Sequence, residues 1–185
     1  AFAIHQDNPI AKLDKQSLRD IYTGKVNRWS DLGGLREPIV VSNRAEGRSE
    51  LTLITDYLDV KASDIQADVI DGETQQSIKT VETNRNAIVY TSIGAAQHAM
   101  KLGSPIKLLP LDGIVATTSN VQSGAFPVAR PLLLVRKQQP DEKMDAIEGT
   151  FASFLLSEAI DDITTNLGFV PPQRAALNST SSEGE

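Results

Sequence analysis

Cysteine is absent from the 185 residues. Its absence removes disulfides, thiolate zinc sites and cysteine nucleophiles, but fixes no compartment, since exported proteins can also lack it. Histidine occurs only twice, at His5 and His98, with no His-Glu-x-x-His spacing and no Gly-x-Ser-x-Gly segment anywhere. Neither a histidine metal site nor a hydrolase triad therefore has its parts, and no cofactor, metal or catalytic residue is expected. Net positive charge is missing too: 18 Lys+Arg against 24 Asp+Glu leave −6. That excludes an extended cationic surface for nucleic acid and confines any anion site to local groups. No apolar run approaches the roughly 18 residues of a transmembrane segment. Aromatic residues make up 5%, with a single tryptophan, Trp29. What is present, 40% hydrophobic and 23% charged residues, is the composition of an ordinary soluble globular domain large enough to bury its own core. The opening Ala-Phe-Ala-Ile-His-Gln-Asp has no basic n-region, so it reads as part of the fold and not as a signal peptide.

Hydrophobic patterning then orders the chain. Phe2–His5 reads as a strand ending in an Asp7-Asn8-Pro9 turn. Asp14 caps a helix with Leu18, Ile21 and Tyr22 on its apolar face, Leu13 and Leu18 as its hydrophobic staple, and Gly24 as its left-handed stop. Trp29–Gly34 is a loop anchored by the indole, and Ile39–Val41 a short buried strand. A loop, Asn43–Ser49, leads to a helix with Ser49 as N-cap and Leu51, Ile54 and Leu58 facing inward. The alternation continues with strand Ala67–Ile70, turn Asp71-Gly72, helix Glu73–Thr83, strand Ala87–Thr91, helix Ile93–Leu102 and strand Ile106–Leu109. This pattern predicts an α/β fold with a mixed, largely parallel sheet flanked by helices. Pro110–Pro127 reads as a long loop with a weak strand at Ile114–Ala116, and Leu132–Val135 as a buried strand. Helices follow, with Met144, Ile147, Phe151, Phe154 and Leu155 on one stripe, a second start at Ser157, and an end at Gly168. Residues 173–185 have the composition of a disordered tail or linker.

One segment combines features that bind anions. A strand runs through a glycine-containing loop into a helix at Val40–Leu58, where free backbone N–H groups, the helix dipole and close backbone approach coincide. Arg44 and Arg48 add bidentate donors. Acidic pairs elsewhere, Asp161-Asp162 and Asp141-Glu142, fall at helix starts and suit the dipole there, while Lys12, Asp14, Lys15, Arg19 and Asp20 form a wet helix face.

Several segments, in order, resemble the solute-binding proteins of phosphate ABC transporters, the type II periplasmic binding proteins. Leu18-Arg-Asp-Ile-Tyr-Thr-Gly-Lys-Val-Asn-Arg-Trp29, followed by Ser30–Gly34, is similar to that family's L-x-x-I-F-x-G-K-I-x-x-W-x-D-L-G signature. Ile39–Glu50 is similar to its strand and R-x-D-x-S-G-T phosphate loop, and Asn86–Ser92 to its P-G-A-I-G-Y strand. Phe126–Leu132 resembles the Y-P-l-x-R-P-L return segment, and Phe151–Pro171 the closing F-x-x-F-x-L-S…G-F-V-P.

The resemblance implies one periplasmic-binding-protein-like domain over 1–172, lacking the N-terminal part of the first lobe, with 173–185 as tail. It implies a periplasmic or otherwise exported protein that binds phosphate or another small anion without catalysis, with an ABC permease as partner. The lobe-facing surface would be taken up by self-association or by the missing lobe. A lobe turned sensory or interaction module is the alternative, and an esterase at the same loop a distant third that would need His5 or His98 nearby. The ligand residues implied are Arg44, Glu46, Gly47, Arg48, Ser49 and Glu50. In this set Glu46 would orient Arg44, and the N–H groups of Arg48, Ser49 and Glu50 would face the ligand. Arg48, Ser49 and Glu50 stand where the family has Ser, Gly and Thr, so weak phosphate binding, or none, is expected. Phe2–His5 and Leu132–Val135 are expected side by side, with the Met144–Leu167 helices packed at that end.

Overall fold

The computed structural model describes residues 1–135 and 142–172; the expected tail at 173–185 lies outside them. Five strands, β1 (Phe2–His5), β2 (Val40–Arg44), β3 (Val69–Asp71), β4 (Ala87–Tyr90) and β5 (Ile106–Leu108), form one sheet in the order β3-β2-β4-β1-β5. The sheet is mixed: β2 runs parallel to β3 and β4, while β1 lies antiparallel to β4 and β5.

Strand alternation sends Phe2, Ile4, Ile88 and Tyr90 to one face and Ala3 and Val89 to the other. Each face is covered by helices. The first packs against α1 (Lys15–Tyr22) through Leu18, Ile21 and Tyr22, and against α2 (Ser49–Leu58) through Ile54 and Leu58. The second packs against α3 (Thr74–Thr83) through Ile78 and Val81, and against α4 (Ile93–Lys101) through Ala96. Because both faces are covered, β4 is buried along its whole length, which is why its sequence is a continuous apolar run without alternation. Phe2, Tyr22 and Tyr90 meet edge-on or tilted, with centroids 5.6 to 6.2 Å apart.

Local signals set the ends of α1. Asp14 Oδ1 accepts the Ser17 N–H at 2.7 Å, and Gly24, at φ +73°, closes the helix in a conformation disfavoured for residues with a Cβ. The hydrogen bond from Ser17 holds the Asp14 carboxyl below its ordinary value. Its stabilisation is therefore present above the unfolded-state value near 3.9 and lost as pH falls through that value and the lower folded one. Asp14→Ala should cost about 1 kcal/mol in a urea melt near neutral pH. That cost should shrink toward zero by about pH 2; a gap unchanged by acid would remove the cap from the account.

Trp29, fully buried, starts a short 3-10 turn over Trp29–Leu32 and donates its indole N–H to the Asn86 carbonyl at 2.9 Å. The bond ties this loop to the residue just before β4.

Several expectations are corrected. The second strand does not stop at Val41 but runs through Ser42 and Asn43 to Arg44, because β3 pairs with these residues in register. Arg48, not Ser49, occupies the N-cap of α2. Asp71 closes β3, and Glu73 is the N-cap of α3. Ile114 makes only an isolated bridge to Leu111, and the stretch after it forms a short helix, α5 (Thr118–Gln122), capped by Thr117.

Leu132–Val135 forms no strand, and its four side chains are 52 to 84% exposed. Nor does it lie beside Phe2–His5, since both edges of β1 are already hydrogen-bonded, to β4 and to β5. Helices α6 (Glu142–Leu155) and α7 (Asp161–Asn166) exist, but no residue of either is buried. Met144, Ile147, Phe151 and Phe154 face solvent. Amphipathic patterning was enough to form the α6 helix, whereas burial of its apolar stripe needs a surface packed along it. No helix among the described residues is long and apolar enough to cross a membrane.

Candidate functional site

Strands β2 and β3 run parallel, and their last residues, Arg44 and Asp71, are register partners. From that shared end the chain leaves β2 for α2 on one face of the sheet and β3 for α3 on the other. Connections that diverge to opposite faces open a crevice at the carboxyl ends of the strands, which is where open α/β sheets bind ligands. A cleft of about 280 Å³ lies here, lined by Arg44, Arg48 and Glu50 from the first connection and Gly72, Glu73, Thr74 and Gln75 from the second.

Arg44 forms its floor. Its side chain is only 3% exposed, yet Nε, Nη1 and Nη2 have no hydrogen-bond partner. A buried guanidinium with its donors unused carries a full desolvation cost, and only a group entering the cleft can recover it. The chain holds this arginine through its backbone: the Arg44 N–H donates to Tyr90 Oη at 3.0 Å, and Tyr90 in turn donates to Asn43 Oδ1 at 2.6 Å. Burial pushes the Tyr90 phenol up to about 12, so it remains a neutral donor at neutral pH. The ring also lies beneath the guanidinium, with Cζ 6.0 Å from the centroid. Tyr22, whose phenol burial raises well above its ordinary value, donates to the Ser42 carbonyl at 3.3 Å. Asp71 is fully buried beside this floor, but its carboxylate takes hydrogen bonds from Ser42 Oγ and, at 3.2 Å, from Thr80 Oγ1. Its acceptors are thus engaged by hydroxyls and not by Arg44.

Two helix N-termini, those of α2 and α3, open onto the same cleft. First-turn N–H groups have no intrahelical acceptor, and the positive dipole ends converge with the arginine. Some candidates are already spent: Arg48 N–H donates to the Ala45 carbonyl at 3.3 Å, and Gly72 N–H to Gln76 Oε1 at 2.8 Å. The Arg48 N–H, expected from the sequence to face the ligand, is thus engaged within its own turn.

Of the six residues expected to bind, the structure brings Arg44, Arg48 and Glu50 to the cleft, while Glu46, Gly47 and Ser49 stay exposed and do not line it. Glu46 makes no hydrogen bond to the Arg44 guanidinium, so the orienting role falls to Tyr90 and the β2 backbone. Gly47, at φ +80°, serves the turn itself. Sequence reasoning missed Gly72–Gln75. The signal was there, since Asp71-Gly72 repeats the strand, glycine, helix pattern of the first loop, but nothing in the order of residues says that the two loops meet. Neither His5 nor His98 lines the cleft.

A two-faced α/β sheet with a buried, unpartnered cation between two helix N-termini is an arrangement suited to a small anion. The family model described as the PBP superfamily domain matches residues 1–159, and the chain belongs to that family. Among solved structures it is similar to a protein assigned as a phosphate ABC transporter substrate-binding protein from Clostridium perfringens, solved with bound phosphate. The two are 29% identical with a TM-score of 0.81, over 94% of this chain and 68% of that one. Curated relatives include the phosphate-binding protein PstS of Bacillus subtilis, 26% identical over 92% of this chain and 54% of its own length. PstS of Pseudomonas aeruginosa is 23% identical over 92% and 57%. The chain thus spans little more than half the length of these two curated relatives.

Proposed function

We propose that this chain is the ligand-holding lobe of an exported solute-binding protein that takes up phosphate or another small anion for ABC-type transport, by binding and without catalysis. The observation that carries the reading is Arg44, a buried guanidinium with three unpartnered nitrogens facing a cleft between two helix N-termini. The relatives' names support transport over the sensory or interaction-module alternative. An ABC permease as partner, and a second copy or a complementary lobe against the exposed Leu132–Val135 and α6 surface, belong to the same proposal.

Titration calorimetry with inorganic phosphate and sulfate tests it. Glu50 lines the cleft, and a carboxylate within about 4 Å of a phosphate costs several kcal/mol at an effective dielectric near 20. The native chain should therefore bind phosphate weakly, near the millimolar range, about 4 kcal/mol. The combined variant Arg48→Ser, Ser49→Gly, Glu50→Thr should tighten it at least tenfold, about 1.4 kcal/mol. If neither protein binds any oxyanion saturably, the proposal fails.

A further inference from the structure

Resting on the anion-site reading above, we propose that the preferred ligand of this cleft is a zwitterion, a phosphate monoester or phosphonate carrying a protonated amine on a short alkyl chain. Size argues first. The cleft measures about 280 Å³, close to the roughly 300 Å³ at which pockets for small organic ligands begin, whereas a bare phosphate has five heavy atoms. A phosphate seated on Arg44 leaves most of that volume to something attached to it.

Charge says what the remainder is. The floor is cationic: Arg44 is buried and unpartnered, and the α2 and α3 N-termini add their dipoles. The wall and rim carry two carboxylates, half-buried Glu50 and exposed Glu73. Neither forms an ion pair among the described residues. Glu73 occupies the N-cap of α3 without making a side-chain cap bond, so its carboxylate is not spent on its own helix. Arg48 is the one other cation lining the cleft, which leaves the lining with two positive and two negative side chains. Such a lining is poorly matched to a dianion alone, since the carboxylates repel the charge that Arg44 attracts. It suits a ligand whose phosphoryl group lies on the floor and whose ammonium points toward Glu50 and Glu73, where each carboxylate gains an opposite charge.

The test is calorimetry on the intact chain with phosphoethanolamine and n-propyl phosphate, whose tails have equal length but differ in charge, with 2-aminoethylphosphonate, one atom shorter, and with inorganic phosphate. The amine-bearing ligands should bind at least tenfold more tightly than n-propyl phosphate. The preference should vanish in Glu50→Gln/Glu73→Gln and weaken in Glu73→Gln, with circular dichroism confirming that each variant is folded. Equal affinity for amine and neutral tails, or a preference that survives in the double variant, overturns the proposal. Inorganic phosphate bound without an amine preference overturns this inference alone, whereas no binding of any phosphate overturns the anion-site reading with it.

Discussion

Replacing Arg44 with methionine should abolish oxyanion binding and, in the same protein, raise the melting temperature. Both effects have one cause. Three guanidinium nitrogens are buried with no partner, so the folded, empty chain bears a desolvation cost that a ligand recovers and that methionine, of similar length and apolar, does not incur. Exchanging buried charged groups for apolar ones of similar volume often stabilises by about 1–4 kcal/mol, which for a chain of this size is a shift of several degrees. Charge-assisted hydrogen bonds lost from the floor of the site should lower affinity by a hundredfold or more, about 2.7 kcal/mol. Calorimetry and a thermal melt on one preparation read both. Unchanged affinity would take Arg44 out of the site; lost affinity together with a lower melting temperature would mean that the arginine is a structural residue after all. A loop arginine would have been thermally neutral, and the expected gain arises only because the chain carries this residue on the last position of β2.

Trp29→Ala should be the most damaging single change to the fold. The side chain is fully buried in the larger core cluster and its indole holds the Asn86 carbonyl. Truncation leaves a cavity worth about 3–5 kcal/mol and an unpaired carbonyl on top of it, out of the 5–15 kcal/mol that typically separates folded from unfolded chains. The midpoint of a urea melt followed by far-UV circular dichroism should fall steeply, since the variant has no other tryptophan to report by fluorescence. Trp29→Phe keeps most of the apolar volume and should lose much less. If alanine and phenylalanine proved equally mild, the loop from Trp29 to Gly34 would not be the anchor that places β2 and β4.

The residues whose reading held were those with local causes. Asp14 caps because its carboxylate reaches an N–H three residues on, and the Phe2–His5, Ala87–Tyr90 and Ile106–Leu108 strands are short apolar runs bounded by turns. The family motifs were legible for the same reason, being contiguous. Where the reading failed, the cause was distant in sequence. Ser42, Asn43 and Arg44 look like the start of a polar loop and become strand only because β3 lies alongside them. Leu132–Val135 looks like a buried strand and is exposed, because backbone ladders and burial both require a neighbour.

By itself the sequence determined the alternation of strands and helices, the apolar faces that pair them, the Asp14 cap of α1, and, with no cysteine, the absence of thiol chemistry. Only the tertiary structure decided that the β2–α2 and β3–α3 connections diverge to opposite faces and leave a cleft between them. It also decided that Arg44 is buried there with its donors unused, that Tyr90 and not Glu46 supports it, and that Glu73 joins Glu50 on the wall. The reason is physical: hydrophobic periodicity and capping act over a few residues and can be read along the chain. A binding site is made of groups whose separation, burial and unmet hydrogen bonds arise only when segments dozens of residues apart pack together.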